Sequence, residues 1–568
     1  MAKKIDSQVL FITTSPRSPL KMIPEIELLV SKFKGQVWNH ETQTRFMNLL
    51  SEEDYFHGKG ENDPAFSARD RINRAPKSLG FINLKPTIQL TPAGDRLLNS
   101  KFQGEVLLRQ LLKFQIPSPF HKPSEKAAHF HIKPYLEILR LIYTIGKLKF
   151  DELQIFGMQL TDYREFDKIV EKIKVFRNDA AAHNGSYRTF VAKVIECELT
   201  LLFRSRISGG NTKTRESSDK SLAKFLKTQR NNMRDYADAC VRYLRATGLV
   251  DVSNVGKTLS IASSRMADVE YILTNVEREP ACFEDDTSYI NYLGNATLPR
   301  LLTDNKELLF KNIKSQFPNA IISDNFSLEQ LKEMLLDLVE ERKNNAIKTE
   351  VTSIKEYKRY NDIQQMFGLI TDGEVYDAPL MMEWNTWRAM TMLDGGNIIA
   401  NLSFDDFGQP LSTAGGNLPD IICDYGDFMV CVEVTLSSGQ RQYDMEGESV
   451  TRHIGKLNKS ANRPCFGLFV APTINEAVVG HFYILQHINL VMYGGKLNII
   501  PLPLNIFMKL LEASFNAQEK PRPEQILSLF KTSEQIIAQC DNEQEWYNSL
   551  LNNISIWPNE TNFNQKMI

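Results

Sequence analysis

The run Phe428–Val434, FMVCVEV, is the stretch that most restricts how this chain can fold. Seven residues rich in β-branched and aromatic side chains make a strand buried on both faces. Yet the run carries Glu433, and burying an unpaired carboxylate costs several kcal/mol or forces its protonation. Upstream, DIIC (Asp420–Cys423) is separated from the run by DYGD (Asp424–Asp427), whose Gly and Asp residues are turn formers. The pair therefore reads as a hairpin turning near Gly426 and Asp427. That register sets Asp420 across from Glu433, at the roughly 5 Å of cross-strand neighbours. Two such carboxylates repel unless a divalent cation lies between them. A hard ion such as Mg²⁺, which takes oxygen ligands and keeps its waters, would account for both. A chance hairpin with a solvent-facing Glu433 is the competing reading.

The surrounding sequence supplies further polar groups. In YDMEGESVTRH, Glu446 and His453 are seven residues apart and return to one helical face after two turns. Upstream, PLMMEWNTWRAM sets Glu383 beside Trp384 and Trp387 in what reads as an amphipathic core helix. Strands are expected at Cys465–Pro472 and Leu497–Leu504. Helix, hairpin, helix, strand, helix gives a mixed sheet with carboxylates at one edge.

The chain has 568 residues, enough for several domains, and a net charge of −2 that hides a division. Residues 1–265 hold 43 Lys+Arg against 28 Asp+Glu, and residues 266–568 hold 24 against 41. A basic half suits a polyanion such as DNA, and an acidic half suits metal chemistry. No run of apolar residues is long enough to span a membrane, and the start MAKKIDSQVLFITTSPRSP turns polar and Pro-rich too early for a signal peptide, so a cytoplasmic protein is expected. The seven cysteines are scattered without a C-x-x-C, which indicates neither a zinc site nor a disulfide framework.

Within the basic half, Phe66–Leu98 reads as a helix, a short hairpin from Gly80 to Leu90, and an L-T-x-x-G turn into a second helix. Arg69, Arg71, Arg74 and Lys77 lie on or just after the first helix, as in a winged helix. The pattern returns at Arg234–Ala262. Phe203–Arg234, with nine basic and two acidic residues and a Gly-Gly break, reads as a mobile basic segment carrying Lys213, Arg215, Lys224 and Lys227. Pro-stiffened segments add Arg17 and Lys21 (SPRSPLK) and Lys122 (PSPFHK) as further candidate DNA contacts. From Met266 to Lys348 the pattern is helical and acidic, and reads as a connector. The expected division is 1–130 and 131–265 as two winged-helix-like DNA-recognition domains, 266–348 as a helical linker, and 349–568 as a C-terminal domain that holds the carboxylates.

Pro419-Asp420, twelve residues, then Glu433-Val434-Thr435 resembles the PD-(D/E)xK nuclease motif, with Thr435 in the usual lysine slot. With AGGNLPD, EVTLSSG, MEGESVTRH, SPRSP, FSARDR and NATLPR, the chain resembles the AlwI family of Type IIS restriction endonucleases and their nicking relatives. The resemblance implies a multidomain α+β protein with winged-helix recognition domains and a C-terminal PD-(D/E)xK nuclease domain with a mixed sheet. It implies recognition of a short asymmetric double-stranded DNA site of the GAGTC or GGATC type, and Mg²⁺-dependent cleavage a few bases outside it. It implies catalytic roles for Glu383, Asp420, Glu433, Glu446 and His453, with Asp420, Glu433 and Glu446 as metal ligands. Thr435 cannot supply the ammonium of the usual motif, which leaves His453 or Lys456 to stabilise charge. The resemblance further implies a bacterial host, a cognate DNA methyltransferase, and pairing through the nuclease domain as a transient homodimer or with a small second subunit. The alternatives are a strand-specific nicking enzyme or large subunit of a heterodimer, and a non-catalytic winged-helix regulator.

Overall fold

The computed structural model describes residues 4–53, 56, 63–125, 127, 129–214, 217–253, 257–393, 395–415, 418–517 and 521–560, the last six without their side chains. Contacts divide the chain into two units, Met1–Ser253 with Lys257–Leu336, and Asp337–Ile568 with residues 254–256. Both combine helices with small sheets, and the second holds a mixed five-stranded sheet.

In the first unit, helix Pro64–Asn73 begins on Asp63, whose carboxylate accepts from Phe66 N at 2.8 Å. The helix breaks at Arg74 and resumes as Ala75–Ser78 around Pro76. Strands Ile82–Asn83 and Gln89–Leu90 then pair antiparallel, and Thr91 caps helix Pro92–Asn99 by accepting from Gly94 N at 3.0 Å. Gly94 is required there, because a Cβ would stand 2.0 Å from Phe81 O. The L-T-x-x-G turn is thus a close approach of helix start to hairpin.

The second helix-and-hairpin unit forms as well, with an addition. Helix Leu222–Arg245 leads through Gly248, at φ +74°, into antiparallel strands Val250–Val252 and Thr258–Ile261. Leu148–Lys149 pairs with the second of these and completes a three-stranded sheet. The basic stretch expected to be mobile is a helix from Leu222 onward, because Phe225, Thr228 and Met233 are buried at helical spacing.

Residues 266–336, expected to be part of a connector, pack into the first unit. The reason is a set of buried cations on helix Gln103–Lys113. Lys113 is fully buried and donates to Leu293 O at 2.8 Å and Asn295 O at 2.6 Å, capping the C-terminus of helix Asp286–Leu293, while burial and then the Arg109 charge pull its pKa down to about 7. Arg109 donates to Thr297 O (3.1 Å) and Pro299 O (2.6 Å), and pairs with Glu105 (2.5 Å) and Asp304 (2.8 Å). Lys332 reaches both carboxylates at 3.2 Å. The helix carrying Lys332, Leu328–Lys355, continues across the division between the units.

In the second unit the sheet contains β1 (Asn397–Ala400), β2 (Ile421–Asp424), β3 (Met429–Val434), β4 (Cys465–Ala471) and β5 (Ile499–Pro503), in the order β5-β4-β3-β2-β1. β3, β4 and β5 are parallel, and β1 and β2 are antiparallel to their neighbours. The helices are α1 (Ala378–Leu393), α2 (Gln440–Ser460), α3 (Glu476–His487), α4 (Leu504–Asn516), α5 (Pro523–Ile537) and α6 (Glu543–Glu560). Val430, Leu468, Ile500 and Leu502 meet α1, α4 and α5, while Phe469 meets Phe482 of α3 on the opposite face. The helix expected to be amphipathic, α1, is buried on every side from Leu380 to Leu393. Arg388 in it is 1% exposed and is held by Glu350 at 3.0 Å, Asn385 at 3.2 Å and Asp362.

Two stability predictions follow from the buried cations. Arg109→Met strands Glu105 and Asp304 and frees two carbonyls, and should cost about 3–5 kcal/mol in urea denaturation followed by circular dichroism. A fragment ending at Leu336 should fold cooperatively. One ending at Ser264, which lacks the partners of Arg109 and Lys113, should show no cooperative melt.

Candidate active site

The hairpin turns as its residues require. Gly426 adopts φ +86°, Asp424 accepts from Gly426 N at 2.9 Å, and Tyr425 N donates to Phe428 O at 3.1 Å. The paired register runs from Met429↔Asp424 to Val432↔Ile421, so the next position brings Glu433 opposite Asp420. Asp420 is tied there, its Oδ2 accepting from Val434 N at 2.8 Å. The cross-strand pair anticipated from the sequence is present.

Three further polar groups converge on it. His453 of α2 places Nδ1 2.8 Å from Glu433 Oε1. The same oxygen accepts from Cys431 Sγ at 3.6 Å. Glu446, two turns before His453, acts electrostatically on both Asp420 and Glu433 and is hydrogen-bonded by the Thr435 hydroxyl. Glu383 of α1 is buried, accepts from Ala414 N at 2.9 Å, and adds its charge to the field at Glu433. The five residues singled out at this end of the sheet therefore lie in one neighbourhood.

The electrostatics are those of crowded anions. Burial pushes the Asp420 carboxyl well above the usual range, and the charges of Glu433 and Glu446 push it further, against the Val434 N–H bond. Glu433 is raised in the same way, by burial and then by Glu446 and Glu383, while the Cys431 thiol and Arg452 oppose the shift. Glu446 is raised by burial, offset by Thr435 and His453. A site that penalises its own ionisation gains most from a bound cation.

As the side chains stand, no three His, Cys, Asp or Glu among the described residues form a metal cage. The expected triad of Asp420, Glu433 and Glu446 is therefore not preassembled. In this arrangement Asp420 accepts from Val434 N–H and Glu433 is bonded to His453. The donor set still suits Mg²⁺, which takes one or two carboxylates and retains water for its other positions.

Several contributors carried no sequence signal. Arg452 is the cation that acts on Glu433, whereas Lys456 is exposed and lines a groove with Lys459 and the turn Val491–Tyr493. Gln442 is fully buried and pins the loop after β3, donating to Ser437 O and Thr473 O at 2.9 Å and accepting from Asn475 N at 2.8 Å.

The candidate DNA contacts fall into two groups. Arg69 donates to Gln43 at 3.2 Å, Arg71 pairs with buried Glu25, and Arg74 pairs with Asp70 at 2.7 Å. Lys77 lies over the Phe120 ring, and burial lowers its pKa. These four have intramolecular work. Arg17, Lys21, Lys122, Lys213 and Lys227 are exposed, and Lys224 is partly so. Arg215 lies outside the described residues.

Comparison with known proteins adds the following. Two crystal structures resemble the chain. One is the small subunit of the heterodimeric restriction endonuclease R.BspD6I, with 24% identity, TM-score 0.30, and coverage of 34% of this chain and 98% of that one. The other is the BpuJ1 endonuclease binding domain in complex with pyrene- and phenanthrene-modified DNA, with 13% identity, TM-score 0.29, and coverage of 49% and 91%. No curated protein matches. A family model described as AlwI restriction endonuclease matches residues 77–510, well over half of the sequence and including Asp420, Glu433, Glu446 and His453. The chain belongs to the AlwI restriction endonuclease family.

Proposed function

We propose that this restriction enzyme is a Mg²⁺-dependent Type IIS endonuclease of PD-(D/E)xK type. Its first unit would bind a short asymmetric site in double-stranded DNA through winged-helix elements, and its second would hydrolyse phosphodiester bonds nearby. The observation that carries this reading is Asp420 held beside Glu433 by its bond from Val434 N, with His453 bonded to Glu433.

Asp420 and Glu433 would hold the ion, with Glu446 and Glu383 reaching it directly or through water. When bound, it supplies charge neutralisation at the scissile phosphate and acidifies water. The remaining chemistry belongs to the chain. An ionised Glu433 Oε1 only accepts, so His453 Nδ1–H donates to it and Nε2 carries the lone pair. That nitrogen would take a proton from the attacking water. Thr435, in place of a lysine, would supply no charge; its hydroxyl favours the ionised form of Glu446 and accepts from Ser437 N at 3.0 Å.

Incubation with supercoiled plasmid and Mg²⁺ tests the reading, since an unchanged product would leave only DNA binding. Glu433→Gln keeps the shape and a hydrogen bond to His453 while removing the charge. It should lower cleavage by about 10³-fold or more, with site-specific binding intact in gel shifts. Asp420→Asn should behave alike, and the double variant should be scarcely worse, as for residues acting as a unit.

Lys224→Ala with Lys227→Ala should weaken binding equally on cognate and random DNA. Titrations at several salt concentrations should show a shallower slope, by up to about 2 for two lost phosphate contacts. A changed sequence preference would mean that these side chains read bases.

A further inference from the structure

Glu433 is held by one of its two oxygens. His453 Nδ1 lies 2.8 Å from Oε1, and Cys431 Sγ donates to the same atom at 3.6 Å. Among the described residues both donors fall on Oε1 and none on Oε2. The backbone sets this asymmetry. Cys431 and Glu433 are two apart in β3 and so project from one face of the sheet, the face turned to α2, while Val430 projects from the other toward α1, α4 and α5. Beside Cys431 in β4 stands Gly467, where a Cβ would lie 2.4 Å from Ile454 Cδ1. The missing side chain lets α2 settle onto the sheet, and His453, next to Ile454, comes within reach of Glu433. One donor thus reaches Oε1 along the strand and the other from the helix.

The second donor matters because of how a glutamate moves. Its terminal torsion is broad and roughly two-fold, so a carboxylate held by a single hydrogen bond still turns about it. Two donors converging on one oxygen from different directions remove that freedom and fix which oxygen is presented. A buried cysteine is ordinarily a small hydrophobe. Cys431 is fully buried, yet its one S–H is directed at a carboxylate rather than at apolar neighbours. Asp420 is tied in the same manner, with Oδ2 taken by Val434 N at 2.8 Å.

We propose that Cys431 is a positioning residue for the candidate metal site: with His453 it ties down Oε1 of Glu433, so that Oε2 is the oxygen offered to a divalent cation. The inference rests on the reading of Glu433 as a metal ligand, and goes beyond it by assigning a role to a side chain that touches neither the ion nor DNA.

Wild type and the variants Cys431→Ser, Cys431→Val and Cys431→Ala of the full chain test it. Cys431→Ser keeps a donor but suits an apolar core poorly, whereas Cys431→Val fills the space of the sulfur and cannot donate. Thermal melts in EDTA report packing alone, and there Cys431→Val should melt above Cys431→Ser. Mn²⁺ titrated into the millimolar range without DNA, with the free ion followed by electron paramagnetic resonance, reports positioning, and there the order should reverse. Wild type and Cys431→Ser should bind within about twofold of each other, and Cys431→Val and Cys431→Ala about tenfold more weakly, the lower end of what losing a group that orients a ligand costs. The Mg²⁺ concentration for half-maximal plasmid cleavage should move by the same factor, with the rate at saturating Mg²⁺ little changed. Affinities that follow the melting order, or that are equal in wild type and all three variants, would overturn the proposal. A wild-type chain that binds no Mn²⁺ would overturn the reading of Asp420 and Glu433 as ligands, and this inference with it.

Discussion

Two neighbouring carboxylates, Glu433 buried in β3 and Asp420 half-buried just before β2, are the constraint around which the second unit is built. Each would cost several kcal/mol if left uncompensated, and the structure meets that cost by making them anchors. Asp420 holds the backbone of Val434, and Glu433 holds His453 and with it α2. Glu383 holds Ala414 and with it the loop entering β2. The register cannot drift, because a slip of one residue would turn Glu433 onto the face that packs α1. Crowding of negative charge at the end of a sheet is thus both a structural liability and the property that would make the site avid for a cation.

The first unit solves a different problem in a similar way. Its buried charges are positive, on Arg109, Lys113 and Lys332, and most of their partners are backbone carbonyls and carboxylates of residues 293–304. A helix end and the loop after it are fixed by Arg109 and Lys113 from far earlier in the chain and by Lys332 from beyond it. This explains why the acidic, helical stretch after Met266 is integral to a unit whose net charge is basic.

What could be read from the sequence was what local chemistry determines. The turn at Gly426 sets the hairpin register, the spacing of seven residues places Glu446 and His453 on one face, and Thr91 with Gly94 specifies a helix start against a hairpin. What could not be read depends on distant partners. Leu148–Lys149 joins a sheet more than a hundred residues further along the chain, and nothing in those two residues announces it. The charges of Arg69 and Arg71 looked available because Gln43 and Glu25, far back in the chain, gave no sign of lying against them; the Asp70–Arg74 pair, by contrast, has the i,i+4 spacing that a sequence does show. Gln442 and Arg452 are ordinary helix residues until the loops around them are in place.

The core of the five-stranded sheet is closed late. Trp546 and Leu550 of α6 are fully buried and Ile554 nearly so, within the same core as Val430, Leu468 and Ile500. Every polar group at the site lies upstream of these residues. On the ribosome, where domains fold as units once their chain has emerged, the sheet cannot bury its apolar face until α6 has been made. The candidate site thus rests on a core that only a helix made after all of its own residues can close.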